Sequence, residues 1–229
     1  MLKLFPNVEI LEIRNSNLTP IHDSFFLSIP KLKKFSIFDS FTVRKDEDIS
    51  ACCKNVEVLE LVNSGLAAVP WEKIEAHWPI KRLLVSQQHI PHLEGSSINV
   101  GGLQDLTIEK SNLEHIDNDA FEGLVHLESL NLQSNKIKKI TKEMLAPMIK
   151  LKVLNLRNNL LEKLTTDQFP SLPNLEIIDI RGNKNIKEID LTGIKQLAPQ
   201  LKEIRIPLVV GVELGKSGGV KLVIDFFEH

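Results

Sequence analysis

Residues 127–140 read LESLNLQSNKIKKI and residues 151–164 read LKVLNLRNNLLEKL. Aligned, they share apolar residues at relative positions 1, 4, 6, 11 and 14 and an asparagine at 9. These are Leu127, Leu130, Leu132, Asn135, Ile137 and Ile140, then Leu151, Leu154, Leu156, Asn159, Leu161 and Leu164. Working outward, the first positions fall at Val8, Leu32, Val56, Ile80, Leu103, Leu127, Leu151, Leu175 and Leu201, with gaps of 24, 24, 24, 23, 24, 24, 24 and 26. So constant a period marks a repeat array, in which each unit covers its apolar edge only by stacking on its neighbours. An array of this kind displays a surface more readily than it encloses a pocket.

Within one copy, positions 1 to 6 read as a short strand entered by a turn at position 1, with 4 and 6 pointing to the same side at period two. Positions 2, 3, 5, 7 and 8 are mostly polar and face away from the core, and the polar residue at 9 begins a turn. The second half of each copy keeps an apolar pair near positions 19 and 22: Phe26 and Ile29, Phe121 and Leu124, Phe169 and Leu172. Stacked copies align their strands into a parallel sheet at about 4.8 Å per strand. The opposite side is bulkier, so the stack curves with its strands on the inside.

The pattern LxxLxLxxNxLxxL at 127–140 and 151–164, together with Asp119-Ala120-Phe121-Glu122-Gly123-Leu124 and Asp167-Gln168-Phe169-Pro170-Ser171-Leu172, resembles a leucine-rich repeat protein. The 24-residue length with FxxL is similar to the "typical" subclass, common in extracellular and receptor ectodomain proteins. The resemblance covers about nine-tenths of the chain. It implies an α/β fold: a leucine-rich repeat solenoid, a curved horseshoe with a parallel β-sheet on the concave face and short helices, 3-10 turns and loops on the convex face. It further implies a non-enzymatic protein-binding role. The similarity to repeat regions of Toll-like receptors and of secreted arthropod immune proteins implies recognition or complex formation in innate defence. An intracellular scaffold or regulatory subunit and a homotypic assembly domain, forming a homodimer, are the alternatives.

Composition narrows the partner. With 28 Lys and Arg against 30 Asp and Glu, the net charge of −2 gives no reason to expect nucleic acid or an anionic membrane. No apolar run approaches the ~20 residues of a membrane-spanning helix, so no span is expected. The opening Met1–Pro6 lacks the apolar stretch of a signal peptide. The first repeat nevertheless begins almost at residue 1, where a polar cap is expected. The chain therefore reads as the mature or excised part of a longer, secreted protein, with the cytoplasm as the alternative. Residues 1–206 form the solenoid, about eight repeats and a partial ninth. Residues 207–229 form a C-terminal capping segment, with 212–224 as two strands around a Gly-rich turn, a β-hairpin.

The copies are unequal. Position 9 holds Ser16, Ser40, Ser64, Gln88 and Ser111, then Asn135, Asn159 and Asn183. An amide donates and accepts at once and bridges adjacent turns, whereas serine reaches less far. The second half is therefore expected to be the more regular. The second copy, with Val43-Arg44-Lys45-Asp46-Glu47-Asp48-Ile49-Ser50-Ala51, reads as a solvated convex loop. In the third, Trp71, Ile74 and Trp78 between Pro70 and Pro79 read as a short packed helix. Cys53 falls at position 22 and reads as a small buried hydrophobe, with Cys52 a neighbouring thiol.

Chemistry is sparse. GxGxxG, GxxxxGK[ST], GxSxG and HExxH are absent, so no catalytic residue and no cofactor is expected. His89 and His92 form an HxxH that Pro91 keeps off one helix face, so no metal site is expected. One sequon, Asn17-Leu18-Thr19, places a glycosylation candidate at Asn17. The binding face is read from the outward columns at positions 3, 5 and 7. Phe38, Val58, Val62 and Leu84 form an apolar patch over three copies, the kind of exposure that marks contact surfaces. Asn131, Asn155, Asp179, Arg157 and Arg181 form a polar ladder further along, rich in the arginine that anchors interfaces.

Overall fold

The computed structural model describes residues 5–18, 28–42, 55–64, 79–98, 100–208 and 219–225. Its main element is a ten-stranded parallel sheet. In order across the sheet, the strands are β1 (Ile10–Arg14), β3 (Lys34–Phe38), β5 (Val58–Val62), β6 (Arg82–Ser86), β8 (Asp105–Glu109), β10 (Ser129–Asn131), β11 (Val153–Asn155), β13 (Ile177–Asp179), β15 (Glu203–Pro207) and β16 (Lys221–Asp225). The first nine each begin at position 3 of a copy, so the expected strand at 1 to 6 is shifted two residues onward. Register runs position to position, as in Glu12↔Ser36↔Glu60↔Leu84↔Thr107↔Asn131↔Asn155↔Asp179↔Arg205. The 24-residue period is thus the length of one coil of a curved solenoid.

Positions 4 and 6 alternate inward as period two requires: Leu59, Leu61, Leu83, Val85, Leu106 and Ile108 are all fully buried. Behind the sheet lie Ile29, Phe121 with Leu124, and Phe169 with Leu172, all buried, so the apolar pairs of the second half close one continuous core from Ile29 to Ile206. Phe26, Cys52, Cys53, Trp71, Ile74, Trp78 and the 43–51 loop lie outside the described residues. Three two-stranded parallel ribbons follow the turn: β2 (Asn17–Leu18) with β4 (Phe41–Thr42), β7 (His92–Leu93) with β9 (His115–Ile116), and β12 (Lys163–Thr165) with β14 (Glu188–Asp190). Among the described residues, short helices complete the far side. They are α1 (Lys142–Leu145), whose N-cap Thr141 Oγ1 accepts from the Met144 N–H at 3.3 Å, and α2 (Ile194–Leu197). Thr166–Gln168 adds a 3-10 turn, pinned by Gln168 Nε2 donating to Ile140 O at 2.9 Å.

A backbone feature recurs at position 8. Asn15, Asp39, Asn63, Gln87, Lys110, Ser134, Asn158 and Gly182 all take φ from +44° to +75°. This left-handed residue swings the chain out of the sheet and into the turn. Asn and Asp tolerate it best among residues with a side chain, which accounts for their prevalence there. At Gly182 a Cβ would lie 1.9 Å from Asn158 Oδ1, so glycine is required for space as well as for φ.

At the C-terminal end, residues 221–225 form a strand. β16 pairs parallel with β15, Ile204↔Leu222 and Ile206↔Ile224, and so extends the same sheet. Residues 212–218, the expected first arm, lie outside the described residues.

Candidate functional site

The turn after each strand is held from position 9, in two ways. Ser40 Oγ accepts from Ser16 N at 3.2 Å and donates to Phe38 O, and Ser111 Oγ accepts from Gln88 N and donates to Glu109 O. Each serine therefore ties one coil to the previous one by a single bond. Gln88, with its amide oxygen turned to Ser64, accepts from the Asn63 and Ser64 N–H groups and the Ser64 hydroxyl. Asparagine makes more bonds. Asn159 Oδ1 accepts from Ile137 N at 3.1 Å, while Nδ2 donates to Leu132 O of the previous coil at 2.9 Å and to Leu156 O of its own at 3.1 Å. Asn135 and Asn183 repeat this, and all three are buried.

The asparagine at 9 changes the sheet. Its amide takes the carbonyl of position 6 in the previous coil. The position 7 N–H is met instead by its own position 5 side chain: Gln133 N donates to Asn131 Oδ1, Arg157 N to Asn155 Oδ1, and Arg181 N to Asp179 Oδ1, at 3.0–3.1 Å. The strands there keep three residues instead of five. Position 7 nevertheless stays stacked throughout, because its carbonyl accepts from position 8 of the coil before, from Asn15 N→Phe38 O to Asn158 N→Arg181 O.

The sheet face therefore gathers the expected columns. Phe38, Val58, Val62 and Leu84 lie on adjacent strands and are half-buried. Phe38 is covered on one side by the Arg14 guanidinium, 3.9 Å above its ring. That leaves Val58, Val62 and Leu84 as the more open apolar strip. Along the other end, Asn131, Asn155, Arg157 and Arg181 are half-buried in one polar strip.

Asp179 departs from the expectation of an outward contact residue. It is 4% exposed, its carboxylate filled by Arg181 Nη2 at 2.6 Å, Arg181 Nε and Arg205 Nη1 at 3.5 Å. Burial opposes its ionisation, but the hydrogen bonds from Arg181 outweigh that and hold its pKa below the usual carboxylate value. Asp179 thus positions two arginines and offers no free acceptor to a partner. Beyond it, Glu203 takes Arg205 Nε at 2.6 Å and Lys221 at 3.2 Å, which lowers its pKa too.

Most charges on this face are answered within the face: Arg14 by Glu12, Lys34 by Glu60 at 2.9 Å, Arg82 by Asp105. Two are not. Glu109 accepts from Ser86 Oγ at 3.2 Å and Gln133 Nε2 at 2.5 Å, both neutral donors. Among the described residues Glu109 and the Arg157 side chain make no ion pair.

Position 2, read in the sequence only as facing away, carries a charge ladder on the flank. Glu9 meets Lys33, Glu57 meets Lys81, Glu128 meets Lys152 and Glu176 meets Lys202, at 2.7–3.2 Å. The alternation was legible at the 24-residue period, with neutral Gln104 as its break. Exposed pairs of this type contribute little stability each, but they leave this flank self-neutralised.

The histidines separate. His89 is exposed, and His92 Nε2 meets Asp117 Oδ1 at 2.9 Å with His115 beside it, ring centroids 6.1 Å apart. That bond lowers the Asp117 pKa, helped by the Gly95 N–H. Among the described residues no group of three or more His, Cys, Asp or Glu is arranged to hold a metal ion, and no helix is long and apolar enough to cross a membrane. Asn17 lies in β2, and Thr19 of its sequon lies outside the described residues.

Comparison with known proteins bears on the fold. The profile of the family described as "Leucine rich repeat" matches residues 79–137, 101–161 and 149–204. No characterised protein sequence matches at a significant level. Among solved structures, InlP of Listeria monocytogenes is similar with a TM-score of 0.68 at 15% identity, over 95% of this chain and 61% of that one. TLR13, solved in complex with ssRNA13, gives 0.63 at 16% identity, over 87% and 33% of the two chains. Drosophila Toll, solved with Spatzle, gives 0.58 at 19%, over 88% and 33%. The chain spans about a third of the length of TLR13 and Toll and about three-fifths of InlP.

Proposed function

Since the chain belongs to the leucine-rich repeat family, whose fold serves protein interaction, we propose that it is a non-enzymatic recognition module that binds a protein partner on its concave sheet face. We place it outside the cell, in recognition or complex formation of the innate-immune kind. The observation carrying this reading is the continuous open sheet face. There Val58, Val62 and Leu84 stand half-exposed at outward positions of β5 and β6, on the same face as Arg157 and Arg181. Apolar side chains next to arginine suit an interface core. Toll, whose fold this chain resembles, is described with Spatzle as a hub in Drosophila development and innate immunity, which supports the innate-immune reading, and the Asn17 sequon agrees with a place outside the cell.

A capture experiment tests the proposal. Wild-type protein and a Val62→Asp/Leu84→Asp/Arg157→Glu variant are each exposed to secreted and to cytosolic fractions of the source cells. A secreted protein held by the wild type and released by the variant is the expected result. Equal retention by both moves the interface off this face. A partner found only in the cytosolic fraction replaces the extracellular role with that of an intracellular scaffold.

A further inference from the structure

Resting on the concave-face reading, we infer that this face selects a partner segment by charge order: an apolar, then a basic, then an acidic side chain, at intervals of about 10 Å. The order follows from which groups the face leaves unanswered. Val62 and Leu84 are half-exposed and apolar. Glu109 accepts only from the neutral Ser86 and Gln133, and Arg157 makes no ion pair among the described residues, the neighbouring Asp179 being taken by Arg181 and Arg205. The intervening amides are tied to one another and to the strand ends: Gln133 binds Glu109, and Asn155 Nδ2 donates to Gln133 Oε1 at 3.4 Å. They separate the two free charges without neutralising either.

Register sets the spacing. Val62 and Glu109 belong to strands two apart, β5 and β8. Glu109 and Arg157 are two coils apart in the position 7 column, whose stacking is maintained by Lys110 N→Gln133 O and Ser134 N→Arg157 O. At about 4.8 Å per strand, each interval is about 10 Å. A half-buried charge covered by a partner without a counter-ion loses its water and gains nothing in return. A segment with the reverse order puts like charges together at both sites and is rejected.

The test uses a random dodecapeptide library displayed on phage, selected on the full chain. Peptides enriched on the wild type are expected to carry apolar, basic and acidic residues in that order. They should lose at least about tenfold in affinity on Glu109→Arg/Arg157→Glu. Selection repeated on that double variant is expected to return the inverted charge order, and selection on Glu109→Gln/Arg157→Gln no charge order at all. Far-ultraviolet circular dichroism establishes that each variant is folded, and the neutral variant serves alone if the reversed one is not. If binding is abolished by Leu84→Asp but indifferent to all four charge changes, the concave face stands and the charge order is overturned. If binding survives Leu84→Asp, or nothing is enriched above the bare support, both readings fall.

Discussion

From Ile10 to Glu109 each strand of the sheet keeps five residues in register, whereas from Ser129 to Asp179 each keeps three. The shorter strands do not mean a weaker ladder. In the first region, position 9 is serine or glutamine and the backbone pairs with backbone as far as position 7. In the second, Asn135, Asn159 and Asn183 take over the position 6 carbonyls, and Asn131, Asn155 and Asp179 take over the position 7 N–H groups. One missing backbone bond is answered by two from side chains. The comparison teaches that strand length in a repeat array follows the donor and acceptor capacity of its turn residues.

The largest expected effect comes from removing one asparagine. Asn159→Ala strands the Ile137 N–H in a buried turn, at about 2 kcal/mol, and takes one of two donors from Leu132 O and from Leu156 O, which keep Asn135 Nδ2 and Asn183 Nδ2, at about 0.5 kcal/mol each, so the cost is about 3 kcal/mol. Ser40→Ala releases only Ser16 N, which is half-buried, while Phe38 O keeps the Asn15 N–H, so about 1 kcal/mol is expected. Urea unfolding of both variants measures the difference. Equal shifts in midpoint erase the distinction between the two regions.

Next comes Gly182→Ala, which sharpens the comparison at position 8. The first five copies fill this left-handed position with Asn, Asp, Gln and Lys; Gly182 cannot be filled, because its Cβ meets Asn158 Oδ1. A cost of about 2 kcal/mol is expected. Asn158→Gly/Gly182→Ala is expected to recover part of it, and a double variant no more stable than Gly182→Ala would show that φ alone sets the cost.

The smallest effect is the share of the pH dependence that Asp179 contributes in the second region. Asp179 has its folded-state pKa lowered, so its contribution is present above its unfolded-state value, near 3.8, and is lost as pH falls through the folded-state value. Urea midpoints measured from pH 6 downward should fall less steeply for Asp179→Asn than for the wild type. Parallel curves would remove Asp179 from the acid response and leave the other carboxylates with lowered pKa, Asp117, Asp167, Asp190 and Glu203, to account for it.

Much of this was legible in advance. The 24-residue period put Glu12 beside Ser36 and Arg157 beside Arg181, because a fixed period and a parallel register together define columns. The amide at position 9 was read as a bridge, and Asn159 is one. The position 8 conformation could have been suspected from Asn15, Asn63, Asn158 and Gly182, and the flank ladder from alternating Glu and Lys at position 2. Other features were not legible. Arg181, two residues from Asp179, could have been seen as its partner, but not the enclosure that buries it, to which Arg205, 26 residues on, contributes. Phe38 reads as exposed until Arg14 is seen to lie over it.

By itself, then, the sequence determined the solenoid, its core positions and the membership of each column, since apolar periodicity leaves a single way for the units to cover one another. Only the tertiary structure decided which column residues remain available. Whether a charge is answered depends on side chains brought together across neighbouring coils, at distances of about 3 Å. A sequence period locates the coil but not the direction in which a side chain turns. Glu109 and Arg157 stand apart from the paired charges of the same columns for that reason alone.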